Sequence, residues 1–399
     1  MFGGRILLAS RRFLVVALAV VCLLSVTGRK LGQSDLSNGS KGFTTSKESY
    51  SLSLRKYSAC GLILKGTTDI VNRLSERIRC RLDRHAALST VESKSSSTSP
   101  PMFLVTHDFF NAVGLGNFMF MAAALLGLAD ASGRKAFFFV NHHHMAVFQT
   151  KFPMEESLPK AGRPTIPEQV LTQNVLEVPA AGIYDSAVLE TLDNRNKKGP
   201  KEDVYPIMTL RGYFQSWKYF RSNPALIRQQ FTFTPAVFQT ALGTVETALR
   251  TYTESTGTIP ESIIGIHVRR GDILRPVMKK YGHTVASPSY LTNLVHNLTE
   301  LYQPAVFLVL SNDPVYCKRV LGKRKNVLFI DGNPAEVDMA ILSLMDHLIL
   351  TVGTFGWWGA FLSDAQDVYY YKNWPTYGST LDKEYRRKDY FLPNWKPTE

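Results

Sequence analysis

Beyond Pro260 the chain settles into a regular alternation of apolar and polar stretches. The pattern predicts strand Ile263–Val268, helix Ser289–Leu301, strand Ala305–Leu310, helix Pro314–Leu321, strand Val327–Ile330, helix Ala335–Leu344, strand His347–Val352, helix Gly356–Leu362 and strand Val368–Tyr371. Short β-branched runs bounded by polar turns read as strands buried on both faces, and strand alternating with helix at this pitch predicts a parallel Rossmann-type sheet. The predicted strand ends carry polar groups: Arg269, Arg270 and Asp272; Ser311, Asn312 and Asp313; Asp331; Gly353 and Thr354. Ligands of open α/β sheets bind outside the carboxyl ends of the strands, so a site is expected there.

The preceding stretch is less regular. Phe103–Thr106 predicts a strand, His107–Asn117 a loop with Gly114 and Gly116, Phe118–Ala129 an apolar helix and Ala136–Val140 a second strand. That order places backbone N–H groups and a helix N-terminus at a sheet edge, with Asn117 by default an N-cap. Residues 151–203, rich in Pro and Lys, read as variable loops. Val204–Tyr213 predicts a strand, Phe214–Phe220 an aromatic turn of core character, and Asn223–Thr253 two helices, the first opened by Pro224.

Before Met102 the periodicity fades into a tract of Ser, Thr, Lys and Arg that cannot bury much surface and reads as a stem. Within it Ile70–Leu82 has the spacing of a solvated helix. Phe13–Val26 is an uncharged apolar run with Arg5, Arg11 and Arg12 before it and Arg29 and Lys30 after it. It is short against the roughly 20 residues of an average membrane span, so a cleaved signal peptide competes with an uncleaved anchor. The basic N-terminal flank, the lack of a small-x-small cleavage site and the polar tract that follows favour the anchor, with the bulk of the chain lumenal. The expected organisation is a cytoplasmic tail (1–12), a transmembrane signal anchor (13–28), a stem (29–101), an N-terminal domain (102–258) and a C-terminal Rossmann-like domain (259–399) in a single-pass type II Golgi membrane protein.

A net charge of +13 raises the question of nucleic acid. Residues 1–101 hold 16 Lys and Arg against 6 Asp and Glu, which leaves 30 against 27 for the rest. The excess therefore sits in the N-terminal flank, and no finger, RNP or repeat pattern accompanies it, so no nucleic-acid partner is expected. Cys22, Cys60, Cys80 and Cys317 are too few for a disulfide scaffold and lack zinc-site spacing; a Cys60–Cys80 bridge is left open. Asn297-Leu298-Thr299 and Asn38-Gly39-Ser40 are N-glycosylation sequons. His142-His143-His144 invites a metal, but adjacent side chains are expected to diverge and no partner ligands are evident, so none is expected.

The chemistry concentrates at Ile263-Ile264-Gly265-Ile266-His267-Val268-Arg269-Arg270-Gly271-Asp272. Two guanidiniums at a strand end, on a turn whose glycine lets amides approach a ligand, suit a dianion such as a pyrophosphate. Salt bridges from the pair to neighbouring helices are an equally open reading of the spacing alone.

His267-Val268-Arg269-Arg270-Gly271-Asp272 resembles the donor-binding signature His-x-Arg-Arg-x-Asp of the α-1,2-fucosyltransferases, glycosyltransferase family 11. Gly114-Leu115-Gly116-Asn117-Phe118-Met119-Phe120 resembles the family's N-terminal motif, Gly212–Trp217 its middle motif, and Asp338 to Trp358 its C-terminal block with Thr-Phe-Gly. The resemblance implies an α/β, GT-B-like fold of two Rossmann-type domains facing a cleft, and inverting transfer of L-fucose from GDP-fucose to the 2-hydroxyl of a terminal galactose on a glycan. It implies that Arg269 and Arg270 hold the diphosphate and stabilise its growing charge. His267 and Asp272 would shape that loop, while Thr354, Phe355 and Gly356 would meet phosphate and nucleotide through backbone N–H groups and an aromatic ring. Ser311, Asn312 and Asp338 are candidates for guanine and ribose, and Gly116 and Asn117 for the cleft lining.

One departure stands out: the family's usual Trp-Cys is here Tyr316-Cys317, which puts the nearby pocket wall in doubt. With no Asp-x-Asp to hold a divalent ion, arginine is expected to take the metal's place, and no cofactor is expected. Trp357-Trp358 is expected to fill a sheet–helix interface. The general base stays open among Asp108, His107, Asn117 and His142 to His144. A related transferase with another sugar nucleotide or acceptor, and a lectin-like protein without turnover, are the competing readings.

Overall fold

The computed structural model of the protein describes residues 102–106, 114–138, 142–154, 174–198 and 207–399. The run Phe13–Val26, the stem, Asn38, Cys60, Cys80, His107 and Asp108 lie outside the described residues.

Two parallel sheets organise these residues. The first contains β1 (Phe103–Thr106), β2 (Lys135–Phe138), β3 (Val175–Glu177) and β4 (Ile207–Arg211) in the order β2-β1-β4-β3. The second contains β5 (Ser262–Val268), β6 (Ala305–Ser311), β7 (Val327–Ile330), β8 (His347–Leu350), β9 (Asp367–Tyr371) and β10 (Lys396–Thr398) in the order β10-β9-β8-β5-β6-β7. The α/β architecture with parallel sheets is the one the apolar pattern predicts. β5 lies at the centre and is buried from Ile263 to Val268, which is why its sequence runs apolar without alternation. A Cβ on Gly265 would come 2.6 Å from Met345 and 2.8 Å from Leu348, so the glycine lets the neighbouring layer close on the strand. The register pairs Val268 with Ser311, which aligns the two strand ends that carry the arginines and their partners.

The helices are α1 (Leu115–Ser132), α2 (Ala187–Lys198), α3 (Pro224–Gln230), α4 (Pro235–Thr256), α5 (Pro276–Tyr281), α6 (Pro288–Leu301), α7 (Pro314–Leu321), α8 (Ala335–Ser343) and α9 (Thr354–Leu362). Proline opens α3 to α7, where its fixed φ suits the first turn and its missing N–H leaves nothing unpaired. Side chains of Asn223, Ser287 and Asp313 cap three of these starts by accepting from Leu226, Tyr290 and Tyr316 amides at 3.1 Å each. α1 is the one helix among the described residues long and apolar enough to cross a membrane, but it is buried in the protein core.

Residues 151–203 are not loops throughout, since they contain β3 and α2. β3 is a three-residue edge strand and α2 buries only Val188 and Leu192, too little for an apolar period to show. Packing also crosses residue 258: α4 lies against α8, and α1 against α9. Trp357 and Trp358 fill that second contact, with ring centroids 4.5 and 5.1 Å from Phe120. After β9 the chain returns over the first half through two single helical turns, Thr380–Lys383 and Arg387–Tyr390.

Candidate active site

The carboxyl end of β5 is a braced loop. Thr351, just past β8, accepts the Arg269 amide at 2.9 Å and donates to the His267 carbonyl at 3.1 Å. On the other side Asn312 Oδ1 accepts the Arg270 amide at 2.8 Å. Ser311 Oγ donates to the Val268 carbonyl and accepts the Asp313 amide, at 2.8 and 2.9 Å. Gly271 has φ +27, and a Cβ there would stand 2.3 Å from Asn312 Nδ2, so the close approach requires glycine. Ser311 and Asn312, predicted near guanine and ribose, here shape the arginine loop.

Both arginines form ion pairs. Arg269 Nη2 meets Asp272 Oδ1 at 2.6 Å, within its own turn and with the Arg269 side chain 37% exposed. Arg270 Nε meets Asp313 Oδ2 at 3.0 Å, and its guanidinium lies 3.5 Å above the Tyr316 ring, with the side chain only 15% exposed. Nε-to-carboxylate contact plus stacking fixes the plane of the guanidinium while its terminal nitrogens have no hydrogen-bond partner among the described residues. Burial works to raise the Asp313 carboxyl, but the Tyr316 amide and Arg270 outweigh it and hold the carboxyl below its ordinary range. The departure at Tyr316 thus falls directly beneath Arg270.

His267 is buried, its ring stacked on Phe355 at 5.2 Å. Burial, then the Arg269 charge, push its pKa down to about 3, so the imidazole is neutral. Its Nδ1 has no hydrogen-bond partner among the described residues, and a Cβ on Gly356 would come 2.6 Å from that atom. Gly353, at φ +86, turns the chain from β8 into α9, leaving Thr354 and Phe355 in the first turn of that helix.

The two halves meet at that turn. Asn117 Oδ1 accepts from Thr354 Oγ1 at 2.9 Å and from Gln215 Nε2 at 3.1 Å. A Cβ on Gly116 would stand 2.6 Å from Thr354 Oγ1, so helix α1 and helix α9 touch backbone to backbone there. Asn117 is not an N-cap, because α1 begins at Leu115 behind Gly114; its side chain reaches across to the other half instead. The Tyr385 hydroxyl donates to Gln215 Oε1, extending the network.

Asp338 stands apart, in the first turn of α8 beyond β7, two strands from β5. Its carboxylate takes Asn333 Nδ2 at 3.1 Å rather than capping its helix. Burial raises its pKa to about 6 against that hydrogen bond. His142, His143 and His144 do not diverge as expected: their rings pack at 4.0 to 4.8 Å, and His142 stacks on Phe118 at 5.0 Å. Extended backbone at His142 followed by a 3₁₀ turn folds the side chains back on one another. Their ring nitrogens lie within 4.8 Å. Burial, then the His144 and His143 charges, lower the His142 pKa to about 4.

The sequence reading gave no functional role to Tyr213, Tyr281, His283 and Glu384, which gather beside Asp272 and Gln215. His283 Nδ1 accepts from Trp374 Nε1 at 3.4 Å, and its pKa is lowered by burial, raised by Asp272 and lowered by Arg269. No spacing signal joins these residues, since Tyr213 follows β4, Tyr281 and His283 lie at and just past the end of α5, and Glu384 follows the turn Thr380–Lys383.

An oriented guanidinium at the carboxyl end of a central parallel strand, in a protein whose two halves meet at a tight helix contact nearby, can bind an anion. The family model of glycosyl transferase family 11 matches residues 202–399. Galactoside alpha-(1,2)-fucosyltransferase 1 of Sus scrofa is 32% identical over 284 residues, covering 70% of this chain and 71% of that protein. The protein of the same name from Pan troglodytes is 28% identical over 287 residues, covering 70% and 71%. The chain belongs to glycosyl transferase family 11. The solved structure of POFUT1 in complex with GDP is 12% identical, with a TM-score of 0.43, over 67% of this chain and 96% of that one. That likeness is loose.

Proposed function

We propose that the protein is a galactoside α-1,2-fucosyltransferase of GT-B-like architecture. It transfers L-fucose from GDP-fucose to the 2-hydroxyl of a terminal galactose with inversion. In the reaction the galactose 2-hydroxyl oxygen bonds to fucose C1 as the bond from C1 to the β-phosphate oxygen breaks, the hydroxyl proton passes to a base or to solvent, and GDP leaves with the electron pair. The observation that carries this reading is the guanidinium of Arg270, held at Nε by Asp313 and on its face by Tyr316, with its terminal nitrogens unpaired among the described residues. Such a fork can take two phosphate oxygens and strengthen its hold as charge grows on the leaving group. Arg269 adds charge, the first turn of α9 supplies amides, and His267 with Asp272 shapes the loop. The closeness to named galactoside fucosyltransferases supports the donor and acceptor classes.

The test is an assay of the detergent-solubilised protein with GDP- and UDP-sugars and a β-galactoside panel. GDP release that requires a galactoside, with fucose found on O2, is expected. Galactoside binding without release would instead mean a lectin-like protein on the same fold.

Transfer is proposed to need no metal, with the arginines taking over charge neutralisation. Activity should survive EDTA with little loss; abolition by EDTA and recovery with manganese or magnesium would refute that substitution.

The apolar run Phe13–Val26 is proposed as the anchor of a type II Golgi protein. The protein should resist alkaline extraction from membranes and carry glycan at Asn297, which is exposed on α6. A secreted chain beginning near Arg29 would show a cleaved signal peptide instead.

A further inference from the structure

The carboxyl end of β4 carries an unusual turn. Gly212 has φ +127, where a Cβ would stand 2.5 Å from the Val178 carbonyl, and Phe214 holds φ +49, a conformation side-chain-bearing residues seldom adopt. Such strain persists only where surrounding structure enforces it, and it collects at binding sites. Its effect here is to sort three consecutive side chains. Phe214 is buried at 1%, Gln215 turns inward to Asn117, and Tyr213 is left 46% exposed.

A second exposed tyrosine lies near enough to feel Tyr213 electrostatically. Tyr281, at the end of α5, is 37% exposed, and its hydroxyl donates to Glu384 Oε1. Its pKa is raised to about 12, first by that hydrogen bond, then by burial, the Glu384 charge and nearby Tyr213. The backbone of Glu384 is held by the Gly182 amide, which donates to its carbonyl at 2.9 Å, while its carboxylate is held by the Tyr281 hydroxyl. The cluster is continuous with the donor side. The ring of His283 lies 6.2 Å from Tyr281, and His283 feels the charges of Asp272 and Arg269.

Two exposed aromatic rings beside a carboxylate held by a tyrosine hydroxyl suit a sugar. A pyranose presents a C–H face to an aromatic ring and hydroxyls to a carboxylate. We infer that Tyr213, Tyr281 and Glu384 form the subsite for the acceptor galactoside, with the tyrosine rings against its C–H face and Glu384 accepting from its hydroxyls. The inference rests on the fucosyltransferase reading and goes beyond it by assigning the acceptor side. Gln215 and Tyr385 act as positioning residues that tie this platform to Asn117 and hence to the donor half.

The experiment uses the full-length enzyme carrying Tyr213→Ala, Tyr281→Ala, Tyr213→Trp, Tyr281→Phe or Glu384→Gln. Each alanine variant should raise the acceptor KM about tenfold, as expected for loss of one stacked ring, while GDP affinity measured by calorimetry stays within about twofold. Tyr213→Trp should keep the parent KM, and Tyr281→Phe should lie between parent and alanine. In saturation-transfer NMR with methyl β-galactoside and GDP, the parent should transfer most strongly to H3, H4 and H5, and Tyr213→Ala should weaken that pattern. Unchanged acceptor KM in both alanine variants overturns the platform, as does a KM change matched by an equal loss of GDP affinity. Failure of the parent protein to bind GDP would instead overturn the fucosyltransferase reading beneath it.

Discussion

Replacing Arg270 by lysine is expected to lower turnover by about a hundredfold or more, since each 1.4 kcal/mol of lost transition-state stabilisation is tenfold. Lysine keeps the charge but loses the planar fork. It cannot place one nitrogen on Asp313, lay a flat face on Tyr316 and still direct two parallel donors outward, as Arg270 is arranged to do. If Arg270 holds the leaving diphosphate as proposed, GDP affinity should fall less than turnover, because ground-state binding would draw on contacts elsewhere on the nucleotide while the growing charge on the leaving oxygen would lose its partner. The melting temperature should drop slightly, since the Arg270–Asp313 pair is partly exposed and such pairs contribute about 1 kcal/mol or less. Arg269→Lys should be the milder change. Arg269 is more exposed and spends one terminal nitrogen on Asp272, so less of its fork faces outward. Turnover, GDP calorimetry and melting curves on both variants decide the matter. An active Arg270→Lys enzyme with a lowered melting point would mean that the pair only holds the fold.

The apolar run of β5 followed at once by two arginines was legible because burial on both faces removes every polar residue from a central strand, so the first charges mark its end. The same reasoning recovered the other long strands of the second sheet. It failed at the three-residue edge strands β3 and β10, where too few residues are buried to write a pattern. It also placed the start of α1 late. Gly114 caps that helix without a side-chain bond, so no Ser, Thr or Asp announced it, and Asn117 was misread as the cap. At the site, the arginines were readable as a pair but their partners were not. Asp313 and Tyr316 lie more than forty residues downstream and meet Arg270 only because β5 and β6 pair in register. Tyr213 reads as the end of a predicted strand, next to aromatics of core character, since sequence does not show that a left-handed Phe214 turns one ring in and leaves its neighbour out.

Asp389→Ala is expected to destabilise the protein by about 3–5 kcal/mol, the usual penalty for removing one partner of a buried ion pair. Asp389 is 1% exposed and lies in the turn Arg387–Tyr390, far along the chain from the residues it holds. Its Oδ1 takes Lys218 Nζ at 2.5 Å; its Oδ2 takes the Tyr184 amide and Arg386 Nη1, each at 3.2 Å; its carbonyl takes Ser216 Oγ at 2.6 Å. One carboxylate thus fastens the C-terminal segment to both the aromatic turn and the loop before α2. Alanine would strand the Lys218 ammonium, only 20% exposed, and leave the Tyr184 amide without its acceptor. For a folded region of this size the melting temperature should fall by roughly 10 °C. Asp389→Asn should do less harm, because an amide oxygen can still accept from Tyr184 while the charge on Lys218 goes unmatched. Asp389→Leu combined with Lys218→Met should recover part of the loss, since an apolar pair leaves no buried charge behind. GDP affinity should change little in the variants that remain folded, because the arginine loop belongs to β5 and β6, whereas acceptor affinity should weaken, because Glu384 and Tyr385 ride on the loosened segment. A melting temperature within about 2 °C of the parent for Asp389→Ala would show that the carboxylate is no anchor, and that the aromatic turn is held by its ring contacts alone.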